Sequence, residues 1–196
     1  MILTLTEKPV YKGIRAMCSL KAPNQEVLGV YEEIIDTWFQ ESLPSSDEHR
    51  QLLGSLVTGD VKTFGKIFQT FLLTSMSYHD IPIQEPEKVY HAFVLGLLIG
   101  LKDTHEVKSN RESGYGRYDV SLIPYDKKQL GIILEFKIVD KDDKETLETC
   151  AEKALLQIEE KQYVTELAAR GITQVVCLGL AFLGKKVLIK EHRVTL

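Results

Sequence analysis

Leu130-Gly131-Ile132-Ile133-Leu134-Glu135-Phe136-Lys137-Ile138-Val139 is the stretch that decides the fold. Its near-continuous aliphatic run reads as a central strand over residues 129–139, covered on both faces. Just before it, residues 117–124 alternate Tyr118, Val120, Leu122 against Asp119, Ser121, Ile123, the period of a strand. Asp126-Lys127-Lys128 is the turn between them. After it, a long helix is predicted over about residues 144–170, capped by Asp143 and stopped by Gly171. Leu147, Cys150, Ala151, Ala154, Leu155 and Ile158 form its apolar stripe. Residues 173–182 are an unbroken apolar strand. A strand, a helix and a second buried strand make a βαβ unit, so this strand should run parallel to the first. Residues 185–190 are the last strand.

Upstream, Pro86 suits the first turn of a helix reaching about Leu101, with Val89, Phe93, Val94, Leu97 and Leu98 on its apolar face. A short strand is expected over residues 105–109 and a loop over 110–116. From Pro86 on, the order α-β-β-β-α-β-β implies an α/β chain of the α+β kind, with a mixed central sheet and flanking helices. The first 80 residues read differently: one strand over 14–20, then helices opened by Asn24, by Ser45 with Glu48, and by Gly59-Asp60. Phe64, Ile67, Phe68, Phe71 and Leu72 share one side of the third. The division is residues 1–80, a helical connector or cap, and residues 81–196, the sheet-bearing domain.

Composition narrows the classes. The 196 residues are 44% hydrophobic and 27% charged, which excludes a disordered or collagen-like chain. The longest apolar run, residues 92–101, is half of the roughly 20 residues a membrane span needs. The N-terminus carries no basic leader and no long apolar stretch, so no signal peptide is expected. Net charge is −4, so a nucleic-acid partner would need a local basic patch. Cys18, Cys150 and Cys177 are odd in number and far apart. They read as buried free thiols in a reducing, cytoplasmic setting.

The chemistry concentrates at Asp119 and Glu135-Phe136-Lys137. Glu135 and Lys137 are two apart on a strand and so share a face. If the hairpin is symmetric about Lys127, Asp119 lies directly opposite Glu135, with facing Cβ atoms about 4.5–5.5 Å apart. Two carboxylates so close ionise together only with a cation between them. A hard divalent ion answers this, and Mg²⁺ suits one or two carboxylates plus phosphate oxygens. The bland alternative is a Glu135–Lys137 ion pair on a half-exposed strand.

Tyr90-His91-Ala92-Phe93, the run from Ser109-Asn110-Arg111-Glu112-Ser113-Gly114-Tyr115-Gly116-Arg117-Tyr118 to Asp119, Ile133-Leu134-Glu135-Phe136-Lys137, and Ala154-Leu155-Leu156-Gln157-Ile158 together resemble the PD-(D/E)XK nuclease superfamily. More narrowly, they are similar to the C-terminal nuclease-like domain of bacterial proteins with an N-terminal AAA-ATPase-like domain. The likeness covers about residues 87–193, and residues 1–80 resemble the helical connector of those proteins. No G-x-x-x-x-G-K-[ST] loop is present, so a fragment of a longer protein is expected.

The resemblance implies a restriction-endonuclease-like αβββαβ core and metal-assisted phosphodiester hydrolysis, with DNA as partner and Mg²⁺ or Mn²⁺ as cofactor. It implies that Asp119 and Glu135 bind the metal, with the Phe136 carbonyl and His91 as further ligands. Lys137 would orient water or stabilise charge on phosphate. Gln157 matches a glutamine of the RecB-like branch, whose tyrosine follows four residues on; here Lys161 holds that position and Tyr163 comes six on. Each carries a plainer alternative: His91 bonded to backbone, Gln157 at a core boundary. Arg111 and Arg117 are candidate phosphate contacts or partners of Glu112. Lys185, Lys186, Lys190, His192 and Arg193 read as a basic patch or a solvated edge. A second function class remains open: an inactive nuclease-like module that binds nucleic acid or a partner.

Overall fold

The computed structural model describes residues 4–5, 10–12, 15–17, 20–21, 46–75, 86–140 and 144–196. Residues 1–41 and 42–196 form two compact units. In the first, β1 (Thr4–Leu5) pairs antiparallel with β4 (Leu20–Lys21), and β2 (Val10–Lys12) with β3 (Arg15–Met17). The single strand expected over 14–20 is therefore split between two pairings, because Lys12 pairs back onto Arg15. The helix expected from Asn24 lies outside the described residues.

The second unit opens with α1 (Ser46–Thr58) and α2 (Val61–Ser75). Leu52, Leu53 and Leu56 bury one face of α1, and Phe64, Phe68, Phe71 and Leu72 one face of α2. Between the helices Gly59 turns with φ 74°, and Asp60 Oδ1 accepts the Thr63 N–H at 3.1 Å. α3 (Pro86–Leu98) continues into a 3-10 turn (Ile99–Leu101), as the apolar spacing predicts.

Five strands then form one sheet in the order β5-β6-β7-β8-β9: β5 (His105–Ser113), β6 (Gly116–Pro124), β7 (Gly131–Ile138), β8 (Gln174–Leu183) and β9 (Lys186–Thr195). β7 is central. It runs antiparallel to β6 and parallel to β8, pairing Glu135 with Gly179, as the βαβ argument requires. The mixed sheet with helices against it is the expected architecture and matches a restriction-endonuclease-like core.

Alternate residues of the central strands meet different helices. On one face Phe182 stacks on Tyr90 at 4.2 Å and meets Phe68 and Phe136 edge-on. Phe68 is 1% exposed, and its truncation to Ala would cost about 3–5 kcal/mol. On the other face lie α4 (Leu147–Glu160) and α5 (Thr165–Ala169). Cys150 and Ala151 of α4 pack with Val139 and Ala181. Gly179 allows the close approach: a Cβ there would lie 2.3 Å from the Ala151 carbonyl oxygen.

Three expectations need correction. The loop expected over 110–116 is strand: β5 continues to Ser113, and only Gly114-Tyr115 separates it from Gly116. Gly114, φ 59°, occupies the first central position, as a type II′ hairpin turn requires. The single helix expected over 144–170 is two, broken where Gln162 adopts φ 53°. It begins at Thr146, whose hydroxyl and that of Thr149 form a reciprocal capping box, rather than at Asp143, which lies outside the described residues. Gly171, φ 81°, does end the second helix, with its N–H on the Ala168 carbonyl.

Candidate active site

The site starts from an interruption in β6. Backbone pairing with β7 ends at Val120–Leu134, and pairing with β5 skips Asp119 and its opposite number Asn110, which has φ 51°. One position past the last β6–β7 pair, Asp119 stands opposite Glu135, as the hairpin symmetry predicts. Its Oδ2 accepts the Phe136 N–H at 2.8 Å, so a side chain replaces the missing ladder bond. Strict alternation also fails here. Tyr118 joins Ile123, Ile133 and Tyr163 in one core cluster, although 118 and 123 differ in parity. The bend at Asp119 lets its carboxyl lie along the sheet toward β7.

Glu135 is 2% exposed. Its Oε1 accepts from Lys137 Nζ at 3.2 Å and from the Gln157 amide. Its Oε2 is buried and has no hydrogen-bond partner among the described residues. Burial pushes the Glu135 carboxyl up to about 8, and the nearby Asp119 charge adds to this against the pull of Lys137. Asp119 is raised as well, by burial and by Glu87, against the Phe136 amide, Lys137 and His91. Both carboxylates thus sit where negative charge is under-compensated. Oxygen donors, one buried lone oxygen and raised proton affinity fit a hard divalent cation. Among the described residues no cluster of three or more His, Cys, Asp or Glu side chains is assembled. Asp119 and Glu135 are therefore the two side chains that could hold the ion, with main-chain, solvent or phosphate oxygens completing the shell.

Gln157 reaches the site from α4, and Tyr163 holds it there. The Gln157 amide donates to the Tyr163 oxygen at 3.2 Å, and the Tyr163 hydroxyl donates to the Arg117 carbonyl at 2.7 Å. Tyr163 is six residues beyond Gln157, with the helix break at 161–164 between them. Through that break the Tyr163 hydroxyl still meets the Gln157 amide.

His91 stands beside the site. Its Nε2 lies 3.2 Å from the Asp119 main-chain oxygen and 3.0 Å from Ser109 Oγ, and its ring meets Phe136 edge-on. In this arrangement the histidine holds the Asp119 backbone, the plainer of its two sequence readings. Arg111 and Arg117 are exposed on the β5–β6 hairpin and, among the described residues, form no ion pair with Glu112. With Lys108, Ser109, Asn110 and Glu166 they line a groove of about 870 Å³ along the sheet edge; the two carboxylates lie outside its lining. Of the C-terminal basic residues, Lys190 pairs with Glu152, Arg193 with Glu191 and the Gly59 carbonyl, and Lys185 donates to the Leu73 carbonyl, while Lys186 and His192 are exposed.

One network lies outside the sequence reading. Tyr118 donates to Glu166 at 2.9 Å, Lys108 pairs with Glu166 at 2.6 Å, and Arg170 joins Glu166 to Glu106. It ties α5 to the strand that carries Asp119. The i, i+4 spacing of Glu166 and Arg170 is its only local signal.

A model of the PD-(D/E)XK nuclease superfamily matches residues 85–192, more than half of the chain, and the chain belongs to this superfamily. Its members are generally phosphodiester-cleaving nucleases that use divalent metal ions. Comparison with curated proteins returns no match. Among the described residues no helix is long and apolar enough to cross a membrane.

Proposed function

We propose that this chain is a divalent-metal-dependent nuclease that hydrolyses phosphodiester bonds in DNA, with Mg²⁺ or Mn²⁺ held by Asp119 and Glu135. The observation that carries this reading is the buried, unpartnered Oε2 of Glu135 opposite the Asp119 carboxylate. The ion would supply Lewis-acid polarisation of the phosphate and a bound water of lowered pKa.

The protein's own groups do the rest. The Phe136 amide fixes Asp119, and the Gln157 amide occupies Glu135 Oε1, so Oε2 is the oxygen left for the cation. Lys137 keeps its ammonium at the rim, 30% exposed, where it can donate to water or to a phosphate oxygen as charge develops. His91 holds the Asp119 backbone so that the bend in β6 persists.

The resemblance to ATPase-linked proteins supports an N-terminal ATPase-like partner domain, with residues 1–80 as the connector between it and the nuclease domain at 81–196. Buried free thiols at Cys150 and Cys177 support a reducing, cytoplasmic setting. A second reading is a nuclease-like binding module without activity. The pairing of His91 Nε2 with backbone favours it, since a histidine ligand is then not on offer.

The test is cleavage of labelled single- and double-stranded DNA with Mg²⁺, Mn²⁺ or EDTA, with Glu135→Ala as control. Metal-dependent cleavage abolished in the variant supports the nuclease. Binding without cleavage under every condition selects the second reading.

A further inference from the structure

We infer that Tyr115 is a base-stacking platform for single-stranded nucleic acid, with Arg111 and Arg117 as its phosphate contacts; this rests on the nuclease reading above. Tyr115 is 75% exposed at the tip of the β5–β6 hairpin. Such a turn ordinarily carries Asn, Asp, Ser or Gly, and the bare ring has no packing role in the fold.

The backbone beneath the ring is nevertheless firmly held. The Tyr115 N–H donates to the Lys161 carbonyl at 2.8 Å, and Ser113 Oγ donates to the Tyr163 carbonyl at 2.8 Å. A Cβ on Gly114 would lie 2.1 Å from the Lys161 oxygen, and one on Gly116 3.0 Å from the Tyr163 hydroxyl. Glycine on both sides lets the turn sit flat against the end of α4. The ring is thus presented on an ordered support, so little entropy remains to be lost when something stacks on it.

The surroundings identify the occupant. Arg111 and Arg117 sit on the two strands just below the tip, both exposed. Glu106 and Glu166 in the adjoining groove are matched by Arg170 and Lys108, which leaves the two arginines against Glu112 alone. An exposed aromatic beside guanidinium groups is the pairing that single-strand binding uses, because every base has a face to stack and every nucleotide a phosphate. A duplex keeps its bases stacked internally and cannot offer one. The tip also leads directly into the strand that carries Asp119, four residues on and at most about 13 Å away at roughly 3.3 Å per residue. A strand stacked at Tyr115 can therefore extend to the carboxylates.

The test is fluorescence anisotropy of the full chain with a labelled 15-nucleotide oligo-dT and with a 15-base-pair duplex, in EDTA and in Mg²⁺. Wild type should prefer the single strand. Tyr115→Ala should weaken that binding roughly tenfold, while Tyr115→Phe, which keeps the ring, should not. Arg111→Ala should lower the salt slope of binding by about one, and Tyr115→Ala should leave it unchanged. Oligonucleotide binding unchanged in Tyr115→Ala overturns the inference and leaves the exposed ring to a protein partner. Absence of any oligonucleotide binding by wild type also overturns it. Cleavage, measured separately, keeps the two ideas apart: a ring-dependent binder that never cleaves upholds the platform and rejects the nuclease. A cleaving enzyme indifferent to Tyr115 does the reverse.

Discussion

The Asp119 carboxylate accepts the Phe136 main-chain N–H at 2.8 Å, one position past the last backbone pair between β6 and β7. One of the two proposed metal-binding carboxylates is thereby positioned by the strand that carries the other. Asp119→Ala leaves a buried N–H without a partner and should cost about 1–3 kcal/mol. Asp119→Asn keeps an acceptor oxygen and removes a charge beside Glu135, so it should melt at or above wild type without added metal. Both variants should lose Mn²⁺ binding. Calorimetric unfolding and Mn²⁺ titration separate the two roles, and an asparagine variant as unstable as the alanine one would disprove this account.

Glu135 predicts an unusual pH dependence for the metal-free protein. Its carboxyl titrates at about 8 when folded, against 4.5 for the ordinary group. Between these values the folded state holds a proton that the unfolded state has released. Stability must therefore fall as pH rises from about 4.5 to about 8. The melting temperature should drop by about 5 °C or more over that range, and Glu135→Gln should remove this component. Parallel pH profiles for the two proteins would show that the carboxyl is not buried as described.

Lys137 separates folding from chemistry. Were it simply half of a buried ion pair, Lys137→Ala would strand Glu135 at a cost of about 3–5 kcal/mol. The Gln157 amide still donates to Glu135 in that variant, and bound Mg²⁺ would compensate the charge. The expected result is a nearly unchanged melting temperature in Mg²⁺ with cleavage slowed by about 10²–10³. A large drop in melting temperature with wild-type cleavage would make the lysine structural.

Gly179 pairs with Glu135 across β7 and β8 and faces α4. Gly179→Ala places a methyl 2.3 Å from the Ala151 carbonyl and 3.1 Å from the Ala154 Cβ, so helix and sheet must separate. That overpacking should cost about 1–3 kcal/mol in urea unfolding. It should also weaken Mn²⁺ binding, because Gln157 rides on the displaced helix. Loss of stability with undiminished Mn²⁺ affinity would show that Gln157 does not position Glu135.

The sheet was legible because its signals are local and repeated. The aliphatic run around Glu135 and the βαβ spacing fix a central strand and its parallel neighbour, and hairpin symmetry alone places Asp119 opposite Glu135. What escaped depends on single backbone angles. Positive φ at Gln162 breaks the long helix, and no residue there is a glycine or proline to announce it. Asn-Arg-Glu-Ser in 110–113 reads as loop because its side chains are polar, yet an edge strand can be polar throughout. The Gln157–Tyr163 contact is hidden for the same reason as the helix break: spacing in an unbroken helix does not place residue 163 beside residue 157. The role of His91 lay beyond sequence, since spacing shows which residues share a face but not which atom each one holds.

Three residues, Gly116 to Tyr118, join the hairpin tip to Asp119. Tyr115 directly precedes β6, and the turn and Arg117 near the start of that strand are both fastened to the segment around Lys161 and Tyr163. The separation of Tyr115 from Asp119 is therefore bounded by the length of those three joining residues. On the proposed function, for a chain gripped at the tip, the bond presented to the carboxylates would be chosen by counting nucleotides from the gripped base. The protein would then behave as a ruler, cutting at a constant offset from where it holds.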